Sequence, residues 1–343
     1  METNEFEEII QPVDRELLKS ELSERNRLRY TCKSNNQIYV FTAAQAPNLM
    51  REVGRLRELS FRTSGGGRGK SLDIDEFDTM SVPYRQLIVW DPGNEEILGG
   101  YRFIVGTDVS FDNNGQPILA TAHSFHFSKK FIDEYLPFTI ELGRAFVQPA
   151  YQSTQKGTKS LFALDNLWDG LGALFVMVPE CRYCFGKLTM YRSVPVGLRD
   201  ILRFFLFKYY ADKDALVYPI VPLEYHTDKD TLSTLVSGTD FKEDYLFVKN
   251  YLRHSGYCIP PLINSYILLA KSMTIFGSTV CSDSTKEEDT AMLMRIDQMN
   301  PDKLMRHVRS FNRKNAIALR LGLLFKANRM RILKHLNTIR RAD

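Results

Sequence analysis

The chain lacks any apolar run long enough to span a bilayer. Its most apolar stretches, Ile201 to Tyr210 and Leu262 to Ala270, fall short of the roughly 20 residues that a membrane helix needs. The opening Met-Glu-Thr-Asn-Glu-Phe-Glu-Glu is acidic where a secretory leader is basic and then apolar, so a cytoplasmic location is expected. Cysteine is scarce and odd in number: Cys32, Cys181, Cys184, Cys258 and Cys281 read as reduced thiols rather than a disulfide framework. Cys181-Arg-Tyr-Cys184 has no second pair at comparable spacing and His254 near Cys258 has no partner, so no metal site is expected. His123 and His126 sit in a strand-like run where their rings face opposite ways. None of the six histidines has an aspartate five residues on, and there is no Gly-x-Ser-x-Gly elbow. Those absences remove two acyl-transfer chemistries, that of the membrane glycerolipid acyltransferases and that of serine hydrolases. Gly69-Lys70-Ser71 lacks the earlier glycine of a phosphate-binding loop, because Ser64 stands there. The glycines of Ser64 to Ser71 are read instead as a flexible gating loop.

What is present is a chain of 343 residues with 44% apolar content, enough for one large domain. We divide it into a lead-in over 1–35, a catalytic domain over 36–300 and a basic tail over 301–343. The tail carries twelve Lys or Arg against two Asp, a net of +10 that leaves about −6 for the rest of a chain whose total is +4. Ile317, Leu321, Leu324, Ile332, Leu336 and Ile339 recur there at helical steps among Arg320, Lys326, Arg329, Arg331, Lys334 and Arg340, the pattern of a basic amphipathic helix. Its partners are expected to be acidic: an anionic membrane surface, met peripherally, or an acidic protein. No aromatic-interleaved basic platform accompanies the charge, so nucleic acid is not expected.

Periodicity predicts helices at Arg15 to Arg27, Ala46 to Phe61, Lys159 to about Met177, Leu198 to Tyr209 and Lys242 to Arg253. Strands are predicted at Leu28 to Cys32, Gln37 to Thr42, Gln86 to Trp90, Leu98 to Val105, Ile118 to Phe125 and Arg182 to Leu188, with a further strand in Phe138 to Tyr151. That last run, Phe-Thr-Ile-Glu-Leu-Gly-Arg-Ala-Phe-Val-Gln-Pro-Ala-Tyr, sets Glu141 and Arg144 into an apolar strand, where an unpaired charge is costly. Residues three apart point to opposite faces of a regular strand, so the two can serve one site only if the backbone bulges, with Gly143 the expected place.

Upstream lie Arg57 and Phe61, then Asp75-Glu-Phe77-Asp78, Leu87-Ile-Val-Trp-Asp91 and Gly100-Tyr-Arg102. Downstream of Glu141-Leu-Gly-Arg144 come Val147, Pro149-x-Tyr151, Pro260-Pro-Leu-Ile and Ala291-Met-Leu-Met-Arg. This ordered set, covering residues 40 to 300, resembles the N-acyltransferases of amino-acid lipid synthesis, which make lyso-ornithine and lyso-glycine lipids. More distantly it is similar to the acyl-homoserine-lactone synthases. Both are branches of the acetyltransferase (GNAT) superfamily.

The resemblance implies an α/β (α+β) GNAT-like fold, a mixed central sheet flanked by helices with helical terminal extensions. It also implies transfer of a long-chain, 3-hydroxy fatty acyl group to an amino acid, glycine or ornithine. Gln155-Lys-Gly157-Thr-Lys-Ser160 fits the coenzyme A phosphate turn poorly. A thioester of acyl carrier protein is therefore the expected co-substrate, acyl-CoA the alternative, and no permanently bound cofactor is expected. Glu141 is the expected general base for the amine, with its pKa raised by burial, and backbone N–H groups around Gly143 to Ala145 would meet the oxyanion. Arg57, Arg102 and Arg144 either bind the substrate carboxylate or order Asp75 and Asp78. Phe61 joins the substrate site, and Tyr191 is nominated to protonate the departing thiolate. Phe103, Phe125, Phe146, Val147, Gln155 and Gly157 are expected along the acyl and pantetheine path. The competing readings are a signal synthase acting on S-adenosylmethionine and a non-catalytic membrane-associated binding protein.

Overall fold

The computed structural model describes residues 6–152, 158–269, 273–280, 287–309 and 311. The basic tail beyond 311, Cys281, and the expected contact residues Gln155 and Gly157 lie outside them. One eight-stranded sheet organises the fold, in the order β1-β2-β3-β4-β6-β7-β10-β9. Its strands are β1 (Arg27–Tyr30), β2 (Gln37–Phe41), β3 (Arg85–Asp91), β4 (Glu96–Val105), β6 (Thr139–Val147), β7 (Tyr183–Tyr191), β9 (Met273–Val280) and β10 (Glu287–Arg295). All neighbours run antiparallel except β6 and β7. A parallel pair needs a long crossover, which the 20-residue helix α4 (Thr158–Met177) supplies. A separate two-stranded ribbon joins β5 (Phe125–Phe127) to β8 (Val217–Pro219).

Two faces of the sheet are covered differently. On one, α4, α5 (Val196–Tyr210), α7 (Phe241–His254) and α8 (Pro261–Leu269) bury the alternate residues Tyr101, Phe103 and Val105 of β4 with Cys184, Leu188 and Met190 of β7. On the other, α2 (Pro47–Thr63) lays Leu49, Met50, Val53 and Leu56 against Ile88, Trp90 and Phe146. Proline at the first turn of α2 costs nothing, because the N–H it lacks has no partner there. Further along this second face, Ile104 and Phe185 pack with Phe77, Tyr84, Phe125 and Phe131. No described helix is long and apolar enough to cross a membrane.

Two expectations need correction. The lead-in helix α1 stops at Glu21 rather than Arg27, because Asn26 caps the chain instead: its Nδ2 donates to the Glu21 carbonyl and its Oδ1 accepts from the Ser23 N–H. Such side-chain bonds compete with helix continuation. The segment Ile118 to Phe125 is not a strand; pairing begins only at Phe125. Its backbone is drawn elsewhere, since the Ala120 N–H donates to Tyr84 and that of Thr121 to Glu141. The remaining predicted helices and strands are present with ends moved by one to three residues.

Candidate active site

The pairing of β6 with β7 covers only Thr139 to Glu141 against Tyr183 to Phe185. Beyond those residues the two strands separate, and the β7-facing edge of β6 from Leu142 to Val147 makes no ladder with β7. In that split β6 also bulges. Gly100 of β4 pairs with Phe146 and Arg102 with Gly143, so two steps on one strand meet three on the other. The left-handed residue is Arg144, with φ of +51°, not the glycine beside it. A non-glycine there is strained backbone, which persists where surrounding contacts enforce it. The bulge brings Arg144 onto the face that also carries Glu141, as the two-charge pattern required.

On this face the charged residues form a layered network. The Arg102 guanidinium bonds Asp75 Oδ1 at 2.5 Å and lies 3.2 Å from Asp78 Oδ2, with its central carbon 5.1 Å and 5.5 Å from the ring centroids of Tyr84 and Phe77. Arg57, wholly buried, holds Asp78 at 3.1 Å and donates to Gln86. Asp75 caps the short helix α3 (Glu76–Thr79), accepting from the Phe77 N–H, and Asp78 reaches back to the Asp75 N–H. Burial alone would raise the Asp75 pKa, but Arg102, then Arg144 and Arg57, hold it well below the usual carboxylate range. Arg57 and Arg102 thus order the aspartates. Arg144 differs: its contacts to Asp73 at 3.6 Å and Asp75 at 3.5 Å are long, and its side chain reaches the cavity described next.

A cavity of about 280 Å³ runs through the split. Among the described residues, its apolar half is lined by Leu164, Leu167, Trp168 and Leu171 of α4 and by Ile263 and Tyr266 of α8. Its polar half carries Arg144 from β6, Lys187, Thr189 and Tyr191 from β7, Glu287 from β10, and Ser60, Phe61 and Ser64 at the end of α2. Lys187 is 2.5 Å from Asp289. Burial, then Glu287 and Asp289, push the Tyr191 hydroxyl above its ordinary value and keep it protonated.

Of the residues expected from sequence, Phe61, Arg144, Phe146, Val147 and Tyr191 line this cavity, while Arg57, Asp75, Asp78 and Arg102 lie behind it. Phe103 and Phe125 do not reach it: each is buried in a core cluster, on opposite faces of the sheet. Glu141 does not line it either. Its carboxylate is enclosed, accepting from the Tyr84 hydroxyl, the Thr121 hydroxyl at 2.7 Å and the Thr121 N–H at 3.3 Å. Burial raises its pKa, and those same bonds oppose the rise. Sequence reading missed Lys187, Glu287 and the Trp168 to Tyr266 contact across the apolar half, with ring centroids 5.8 Å apart. It also missed a buried junction in which Asp169 Oδ1 lies 2.7 Å from His307 Nδ1 and 2.8 Å from Cys32 Sγ, tying α9 (Pro301–Arg309) to α4.

The family model of the acetyltransferase (GNAT) domain matches residues 56–160. A protein of Bacteroides thetaiotaomicron named glycine N(alpha)-acyltransferase is 54% identical over 92% of this chain and 94% of its own length. A protein of the same name from Phocaeicola vulgatus is 51% identical over 92% of this chain and 97% of its own. No solved structure gives a significant match.

Proposed function

This chain belongs to the amino-acid N-acyltransferases of the GNAT superfamily, and on that premise we propose that it moves a long-chain 3-hydroxyacyl group from acyl carrier protein to the amine of glycine. The observation that carries the reading is the cavity through the β6/β7 split, apolar between α4 and α8 and charged on the other face. A thioester laid in the split presents its carbonyl where the two halves meet. The chain then extends among apolar side chains, whose burial stabilises it by about 0.8 kcal/mol per methylene. On the charged side Arg144 supplies a fork for a carboxylate, and glycine is favoured as the acceptor because it is the one in the names of both relatives.

The unpaired edge of β6 supports the rest. Backbone N–H groups there, reoriented by the bulge at Arg144, serve as donors to the tetrahedral oxyanion. Tyr191, held neutral, gives its proton to the departing sulfur. Carrier protein is favoured over coenzyme A because in Gln155 to Ser160 the single glycine, Gly157, is displaced from the phosphate cradle's two places, where Thr158 and Ser160 stand. Purified protein given 3-hydroxyacyl carrier protein and labelled glycine should yield N-acyl glycine by mass spectrometry, faster than with the same chain on coenzyme A and faster than with ornithine. Absence of the amide would overturn the reading. Equal rates on the two donors would remove carrier protein from it.

One polar group in the apolar half bears on the chain. The Tyr101 hydroxyl, from β4, is buried there without a hydrogen-bond partner among the described residues, and a buried hydroxyl left unpaired costs about 1–3 kcal/mol. An acyl chain carrying its own hydroxyl relieves that cost. Tyr101→Phe is expected to lower the preference for 3-hydroxyacyl over plain acyl donors by about 3- to 10-fold, equivalent to one modest hydrogen bond. Competition between the two donors in one reaction measures it.

A further inference from the structure

Glu287 is the only carboxylate among the described residues lining the cavity, in its polar half with Arg144 and Tyr191. It pairs in register with Tyr191 across β7 and β10. A methyl group built on Gly66 would lie 2.2 Å from Tyr191 Cε1 and 2.5 Å from Glu287 Oε1, so the ring and the carboxylate flank the same point. Among the described residues, Glu287 accepts one long hydrogen bond, from the Gly67 N–H at 3.4 Å. Its neighbour on the same face, Asp289, is already engaged by Lys187 at 2.5 Å and Thr189 at 2.7 Å. Glu141, in contrast, is enclosed by three donors and does not reach the cavity.

Taking the glycine N-acyltransferase reading as given, we propose that Glu287, rather than Glu141, is the carboxylate that takes the proton from the acceptor ammonium, with Arg144 holding the acceptor's own carboxylate. One proton passes from the ammonium to Glu287. The freed amine attacks the thioester carbonyl carbon, the new C–N bond forms, and the C–S bond breaks as the tetrahedral intermediate collapses. Sulfur leaves with the proton of Tyr191, Tyr191 takes the second N–H proton, and Glu287 releases its proton to solvent. The products are amide and thiol, with one proton released.

The charged groups facing Glu287 are Asp289 on its own strand, Lys187 and Tyr191 from β7, and Arg144 from β6; Glu58 of α2 binds the far side of the glycine loop through Arg68 and Gly69 N–H groups. Burial first, then Asp289, raise the Glu287 pKa, and Lys187 and Arg144 oppose the rise. The active form is the carboxylate, so turnover climbs as pH rises through a value above the ordinary glutamate range.

The test is the pH profile of kcat/KM for the parent, Glu287→Gln, Glu287→Asp and Glu141→Gln, each checked for unchanged melting. At pH 7 Glu287→Gln should lose about 100- to 10,000-fold, a deficit that narrows as pH rises and glycine sheds its own proton. Hydroxylamine, an acceptor already neutral at pH 7, should be acylated by Glu287→Gln nearly as fast as by the parent, and Glu287→Asp should recover part of the glycine rate. Glu141→Gln should keep the parent's profile shape. If Glu287→Gln matches the parent on glycine, or if Glu141→Gln is the variant rescued by high pH and by hydroxylamine, Glu287 is not the base. If the parent itself acylates no glycine, the underlying reading falls instead.

Discussion

Arg102→Met should lose about 3–5 kcal/mol of stability, the cost of stripping one partner from a buried ion pair and a large part of the 5–15 kcal/mol that holds a typical domain together. Arg102 is 2% exposed and is the cation that Asp75 and Asp78 share. Met fills much of the stem's volume but lacks the guanidinium that lies over Phe77 and Tyr84, so the loss reports the uncompensated carboxylates together with those ring contacts. The effect has a pH signature. Both aspartates have folded-state pKa values below the ordinary one, Asp78 through Arg57 first and then Arg102 against the opposing effect of burial. Their contribution is therefore complete above about pH 5, where an unfolded aspartate is almost wholly ionised, and drains away as pH falls from there toward the folded values. In Arg102→Met the variant should unfold at higher pH than the parent during acid titration. Urea melts at pH 7 and an acid titration followed by circular dichroism check both statements. A loss under 1 kcal/mol would mean that Arg57, Arg68 and Arg144 suffice for the two aspartates.

Gly66→Ala should reduce kcat/KM on the order of 100-fold, the scale that a 1 Å misplacement of reacting groups produces, while the melting temperature falls by no more than about 4 °C. The glycine loop touches the site at this residue, whose added methyl would sit within van der Waals radii of both Tyr191 and Glu287. Its neighbours Gly65 and Gly67 have φ of +95° and +93°, so the loop can give way more readily than two paired strands can. Alanine at 66 then either lifts the loop or turns the ring of Tyr191. Full activity in this variant would show that the loop closes elsewhere during turnover.

Much of the site could be read from residue order because its signals were local. A carboxylate and a guanidinium three apart in an apolar strand share a face only across a bulge, and β6 has one, with Arg144 rather than Gly143 as its left-handed residue. The acidic cluster at Asp75 to Asp78 stands out in the residue order, and the structure adds that it caps α3. Other features are invisible at that range. Glu287 belongs to the run Thr285-Lys-Glu-Glu-Asp289, which reads as a solvated acidic stretch until β10 is inserted between β7 and β9 and pairs with Tyr183 to Tyr191, about a hundred residues earlier. Enclosure of Glu141 depends on Tyr84 and Thr121, 57 and 20 residues away. Phe103 shows the same limit for apolar residues, since strand alternation assigns a face and cannot separate a side chain lining a channel from one filling the core. Asp169 and His307, 138 residues apart, gave no pattern at all.

The short parallel contact between β6 and β7 has a mechanical meaning. Strands β1 to β4 with β6 form one slab, and β7, β10 and β9 form another, and only three residue pairs per strand fasten them along their common seam. Past the seam the two facing edges form no ladder with each other, and among the described residues only at Val147 do side chains, those of Ser60 and Gln152, reach the β6 backbone; sheets elsewhere cover or pair such an edge. An extended thioester arm lying between them acts as a stitch, and donor binding then tightens the hinge between two halves of a single sheet. Amide hydrogens of Leu142 to Val147 and of Gly186 to Tyr191 report that tightening as slowed exchange when the donor is added alone, before any amino acid is present.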